Sequence, residues 1–393
     1  MKDHTPDKSD LRPIVLADLF ADLLWPKLLR AGVLALRPGR MAIALVAVVL
    51  TGLIGNIRLP LQEGLSAASL WDRATAMSPG VPRLEGAVSL LSPLAGIVQP
   101  MLTAWQFVWS YPLAALVAGL PIAIVLVFAT GAIARMAACE TAHGVMMPMR
   151  QGAVFAASLW RSLAAVFLVP AIIVLGIVVV QMLAGAVLLR WPVVSVLGAM
   201  LFFMAIIGSA LVVFMAACFL FGWPMLVPAV ACEGGASAGD GIDAAQRVFA
   251  YVVASPLRLV AYVSVLVLQL SLLLFVFDAI ADGVVGVSVW STTALLPEEA
   301  AALVRGERTG EGAPALSGVT AALLQYWKAV PAMVVQAFTL SFVASGGTIL
   351  YLLLRRLNDG QNESEIWEPG MIPGTISGLE ATAEVGRGTG DAR

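Results

Sequence analysis

SLAAVFLVPAIIVLGIVVVQMLAGAVLL, Ser162 to Leu189, contains no Asp, Glu, Lys or Arg. After Arg190 the chain resumes with WPVVSVLGAMLFFMAIIGSALVVFMAACFLFGWPMLVPAVAC, Trp191 to Cys232, again without one. A third such run fills the 49 positions between Glu85 and Arg135. In water these runs would aggregate, whereas about 20 apolar residues in a helix satisfy every backbone hydrogen bond internally and cross the hydrocarbon core of a bilayer. Of the 393 residues 60% are hydrophobic and 12% charged, with mean hydropathy +0.92. An ordinary soluble domain carries roughly 25% charged residues. The chain therefore reads as an all-α integral membrane protein.

Charge-free windows edged by Trp and Tyr predict six spans, at about 41–57, 112–134, 163–189, 193–221, 257–277 and 329–354. Trp109 and Tyr111 open the second, Trp160 and Trp191 bracket the third, and Tyr326 with Trp327 opens the sixth. The first forty residues lack the short basic stretch followed at once by an apolar core that marks a signal peptide, so 41–57 is expected to be retained. Orientation follows from Lys and Arg in alternate loops, which are held on the cytoplasmic side. With the N-terminus inside, the inner segments carry sixteen and the outer segments seven, so both termini are expected to be cytoplasmic.

Two long outer loops result, 58–111 and 278–328. Within the first, Val88 to Trp109 is apolar enough either to lie flat under the outer headgroups, the reading we favour, or to re-enter the membrane. Residues 1–13 and 358–393 are polar or glycine- and proline-rich and are expected to be disordered, the latter as a cytoplasmic tail around a transmembrane domain of residues 14–357.

A pattern recurs across the domain. Ala138-Cys139-Glu140 precedes Val154-Phe155-Ala156 and then Arg161, while Ala231-Cys232-Glu233 precedes Val248-Phe249-Ala250 and then Arg258. A weaker copy, Val33-Leu34-Ala35 and then Arg40, precedes the first span. We read three pseudo-repeated hairpins, each preceded by an amphipathic elbow helix on the cytoplasmic face, at about 26–37, 147–160 and 241–254. In the third elbow Asp240 is placed to cap, Ile242, Ala245, Phe249, Val252 and Val253 share a face, and Asp243 stands four residues before Arg247 for pairing. Arg40, Arg161 and Arg258, closing the elbows, are candidate lipid-phosphate anchors.

Ionisable groups inside a bilayer are expensive and usually functional, and the six spans hold essentially none. Gln181, Gln269 and Gln336 are the strongest polar groups at depth, and interhelical hydrogen bonding is their favoured role over a substrate path. Glu140, with His143 beside it, and Glu233, with Asp240 and Arg247 beyond it, are candidates for a cytoplasmic mouth or a partner-binding surface. The plainer expectation pairs these acids with Arg135, Arg150 or Arg247 to fix the elbows. Gly222-Trp223-Pro224 and Pro228 are expected to stop or kink the fourth span. Gly176, Gly185, Gly208, Gly346 and Gly347 are candidates for close helix approach.

Pro228 to Glu233, then Asp240 to Tyr251 and Ser255-Pro256, resemble a motif of uncharacterised bacterial six-span membrane proteins, themselves similar to the membrane domain sometimes fused to glycerophosphodiester phosphodiesterases. Tyr351 to Arg356 resembles the way such chains end. The resemblance implies a fold and no activity, since no phosphodiesterase domain accompanies it.

There is no HExxH, GxSxG, P-loop or dinucleotide fingerprint, and His4 and His143 are the only histidines. No cofactor, metal or nucleic-acid partner is expected, since three scattered cysteines make no zinc set and no Lys/Arg arm exists. The expected function is that of a non-catalytic accessory or scaffolding component of a bacterial cytoplasmic (inner) membrane, with the bilayer and other membrane proteins as partners. The alternative is a transporter or channel for a small or lipid-like solute.

Overall fold

The computed structural model describes residues 25–57, 66–77, 103–104, 106–108, 110–188, 190, 192–234, 238–306 and 315–367. The expected disorder of residues 1–13 and most of the segment Val88 to Trp109 lie outside these. The protein is all-helical, and six helices among the described residues are long and apolar enough to cross a membrane. A 3-10 turn Trp25–Leu29 leads into α1 (Arg30–Ala35), followed by α2 (Pro38–Gly55), α3 (Ala67–Met77) and α4 (Pro112–His143). Then come α5 (Met149–Ser158), α6 (Trp160–Leu188), α7 (Pro192–Glu233), α8 (Ala238–Ala254), α9 (Pro256–Thr293), α10 (Glu298–Arg305) and α11 (Ala315–Asp359). The spans are α2, α4, α6, α7, α9 and α11.

Short helices α1, α5 and α8 stand directly before α2, α6 and α9, and local sequence explains two of the breaks. Arg37 is extended (φ −60°, ψ 131°) ahead of Pro38, and Ser255 leaves the helical region (φ −139°, ψ 55°) ahead of Pro256. A residue before proline is pushed out of the α region, and proline then suits the first helical turn. In α8 the buried positions are Gly241, Ala244, Ala245, Val248, Tyr251 and Val252, while Val253 is exposed. The apolar face is thus rotated from the expected one. Its placement is set by Gly241, where a Cβ would stand 2.3 Å from the Ser162 carbonyl oxygen of α6.

The fourth span does not stop at Gly222-Trp223-Pro224. The helix runs through Pro224 and Pro228 to Glu233. Pro228 has no N–H, so the carbonyl of Pro224 loses its intrahelical donor. That oxygen lies against Gly347 of α11, where a Cβ would come within 2.1 Å of it. The neighbouring helix thus covers the gap left by the proline, as helix breakers in membranes require. Gly347 is a close-approach residue as expected, whereas Gly176 and Gly185 have nothing within 4 Å of a Cβ.

The helices exceed the expected spans, because α7, α9 and α11 have 42, 38 and 45 residues. At about 1.5 Å per residue each is far longer than the roughly 30 Å hydrocarbon core. α11 occupies the middle. In its most apolar stretch 83% of residues are buried, against 6% to 22% in the other five spans, and it packs on α2, α4, α7 and α9. Its own Phe338, Phe342, Ile349, Leu350 and Leu353 belong to the buried core. The distal parts of α6 and α7 and the middle and second half of α9 instead expose Leu183, Phe203, Leu272 and Val287.

Candidate functional site

The charged groups gather at one end of the bundle, where α2 begins and α4, α7 and α11 end. Glu140 accepts hydrogen bonds from Arg37 Nε (3.0 Å) and Nη2 (2.8 Å) and pairs through its other oxygen with Arg40. Arg40 is 2% exposed. It is therefore no lipid-phosphate anchor: one residue past the proline-fixed turn its side chain points into the bundle and is neutralised there. Arg161 and Arg258 are exposed and remain available for such a role.

Glu233, at the end of α7, accepts from Arg247 Nη1 (2.7 Å) on α8 and from the Tyr351 hydroxyl on α11. Arg247 thus bridges back to α7 and does not pair with Asp243. Beside it the Tyr251 hydroxyl donates to Asp359, and Ser255 Oγ lies 2.9 Å from Asn358 Oδ1. Burial, reinforced by the Asp359 carboxylate, pushes the Tyr251 phenol far above its usual range, so it stays a donor at every physiological pH. His143 is exposed at the end of α4 and Asp240 is half-buried in the first turn of α8. Glu140 and Glu233 accordingly form no bare acidic mouth, since each is bound by cations of the chain itself. The expected pairing holds for Glu233 with Arg247, while Glu140 finds Arg37 and Arg40 in place of Arg135 or Arg150.

Residues 360–367 were expected to belong to a disordered tail, and the structure folds them across this end. Glu363 bridges Lys27 (2.6 Å) and Arg356 (2.8 Å). Ile366 is buried, and the Trp367 N–H donates to the Cys232 carbonyl at 2.9 Å. Arg135 donates to the carbonyls of Ala231 (3.1 Å) and Trp367 (2.7 Å), its guanidinium 4.5 Å from the Phe155 ring centre and 5.9 Å from that of Trp367. Arg355 donates to the carbonyls of Asn362 (3.2 Å) and Glu365. A segment with few apolar residues orders because buried guanidiniums capture its carbonyls, a signal that composition does not carry.

Partial burial alone would raise the Glu363 carboxyl, but hydrogen bonds from Lys27 and Arg356 outweigh it and hold the group below the usual carboxylate range. A depressed folded-state pKa contributes stability above the unfolded value and loses it as pH falls through the folded value. Hydrogen exchange of 360–367 should therefore stay slow from neutrality down to about pH 4 and, once corrected for intrinsic rates, accelerate below it.

Several polar residues of the spans bond between helices, while Thr339 and Thr348 bond back to their own helix. Gln181 Nε2 donates to the Ala205 carbonyl (3.0 Å) across α6 and α7, Gln269 Nε2 to Leu29 (2.8 Å), and Ser341 Oγ to Ala35 (2.8 Å), the last two pinning the segment before α2 to α9 and α11. Gln336 has no such bond. It lines an apolar cleft of about 460 Å³ between α2, α4, α6, α7 and α11, whose walls include Val48, Phe167, Trp223 and Leu340.

Arg135 was expected to pair with an acid and Arg355 only to count among the cytoplasmic cations, whereas both are buried and bonded to main-chain carbonyls. One signal was present for the first: Arg135 stands in Ala129 to Ala138, a stretch rich in alanine whose small neighbours leave room for a guanidinium inside the bundle. No family model, curated protein or solved structure matches this chain, so none bears on the resemblance to six-span bacterial membrane proteins.

Proposed function

We propose that this chain is a multi-pass protein of a bacterial cytoplasmic membrane that works without catalysis, as an accessory or scaffolding component binding other membrane proteins. In this reading α1, α5 and α8 are elbows on the inner leaflet and the chain repeats elbow, span, outer loop, span three times. The charged end is cytoplasmic, in keeping with the excess of Lys and Arg in the segments assigned to that side. The observation that carries the reading is the place of α11. Among the described residues the sixth span fills the middle of the bundle, while the exposed distal parts of α6 and α7 offer apolar faces to neighbours in the membrane.

A photo-cross-linking residue at Leu183 or Phe203, activated in cells, should give a discrete protein adduct from at least one position. Adducts with lipid alone at both would overturn the proposal. A second reading, a carrier for a lipid-like solute, draws on the cleft and the unbonded Gln336. Flux in proteoliposomes that is abolished by Val343→Trp, which fills the cleft, would put it ahead of the first.

A further inference from the structure

Most cations at the charged end have a carboxylate. Arg37 and Arg40 share Glu140, Arg247 holds Glu233, and Lys27 with Arg356 holds Glu363. Arg135 and Arg355, 2% and 0% exposed, are paired with no carboxylate among the described residues. Their hydrogen-bond acceptors are four main-chain oxygens, of Ala231, Asn362, Glu365 and Trp367. Three further guanidinium atoms, Arg135 Nε and Arg355 Nε and Nη1, are buried with no acceptor at all. A buried guanidinium bonded only to main-chain carbonyls and flanked by aromatic rings is still costly, and its unfilled N–H donors suit a tetrahedral oxyanion.

The two forks belong to one place. Both reach into the same short segment, Arg355 at Asn362 and Glu365 and Arg135 at Trp367, and Arg135 also bonds the Ala231 carbonyl near the end of α7. We propose that Arg135 and Arg355 form a binding site for a phosphate group, and that residues 362–367 are its removable cover, with carbonyl oxygens standing where phosphate oxygens would bind. The cover is held lightly. Its ion pairs use Lys27 and Arg356, whose side chains are 41% and 45% exposed, so each contributes at most about 1 kcal/mol. Its main clasp is Trp367, whose indole lies where a Cβ of Gly234 would be, 2.2 Å from that position, so the contact depends on glycine there. An anion carrying charge as well as acceptors competes well against such a cover. Its source is either a lipid headgroup at the membrane surface or free phosphate from the aqueous side.

The test uses the full chain in nanodiscs and reads hydrogen exchange of the peptide covering 360–367. One arm contains phosphatidylcholine alone, the second adds phosphatidic acid, and the third adds millimolar inorganic phosphate to the first. Exchange should rise roughly tenfold or more in a phosphate arm as the cover is displaced. A response confined to phosphatidic acid identifies a headgroup, and a response to inorganic phosphate identifies the free anion. Arg135→Gln should lose the response. Because Arg135→Gln also removes a buried structural group, Trp367→Ala is measured as well: it loosens the cover and keeps both guanidiniums, removing from Arg135 only the ring 5.9 Å away, and should respond at lower phosphate. Unchanged exchange in both phosphate arms for wild type and Trp367→Ala, or a full response retained by folded Arg135→Gln, would overturn the proposal.

Discussion

Protein carrying Glu140→Ala should lose about 3–5 kcal/mol of stability, the largest effect expected of any charged-residue substitution in this chain. The substitution removes the one carboxylate that neutralises Arg40, a side chain 2% exposed with Nε and Nη1 already lacking acceptors. Arg37, whose side chain is 39% exposed, can turn back to water, but Arg40 cannot. The loss is thus the cost of a stranded buried cation rather than the worth of a contact. Unfolding in micelles followed by tryptophan fluorescence would measure it. Adding Arg40→Met to Glu140→Leu should recover most of the loss, since apolar replacement of a buried pair is often neutral or better. A Glu140→Ala protein within about 1 kcal/mol of wild type would show that Arg40 reaches water.

Gly347→Ala is the second large effect, and it is steric. The added Cβ would come within 2.1 Å of the Pro224 carbonyl oxygen, a backbone atom that cannot rotate away, so α7 and α11 must separate. Overpacking usually costs about 1–3 kcal/mol, and a rigid helix crossing lies at the upper end or beyond. The same change at Gly176, with nothing within 4 Å, should be neutral or stabilising by up to about 1 kcal/mol through helix propensity. Equal behaviour of the two variants would remove Gly347 from the crossing.

The helical class and the six long apolar helices were legible in the sequence because bilayer helices must be apolar over about 20 residues, whereas α3 and α10 were not. The lengths of the six were not. Charged and small residues such as Asp278, Asp282 and Gly283 mark where apolar character fades, yet α9 continues to Thr293, since a helix needs no lipid to persist. The prolines of α7 misled for a related reason: a proline alone breaks a helix, but the backbone of α11 at Gly347 accommodates the freed carbonyl, and that contact spans more than a hundred positions of chain. At the charged end, Glu233 with Arg247 was foreseeable from neighbouring elements, whereas Arg37 and Arg40 reach Glu140 across a hundred residues. The role of residues 360–367 was hidden most completely, since their order comes from Arg135 and Arg355 and not from their own composition.

In the proposed membrane protein the exposed apolar faces are immersed in lipid around a buried sixth span. Spin labels placed singly at Leu175, Phe203 and Leu272 in proteoliposomes, with Leu295 in the turn after α9 as the aqueous reference, test it by their collision rates with oxygen and with a water-soluble nickel chelate. The first three should be relaxed by oxygen and shielded from nickel, while Leu295 should be reached by nickel. Nickel relaxing Phe203 and Leu272 as readily as Leu295 would contradict it.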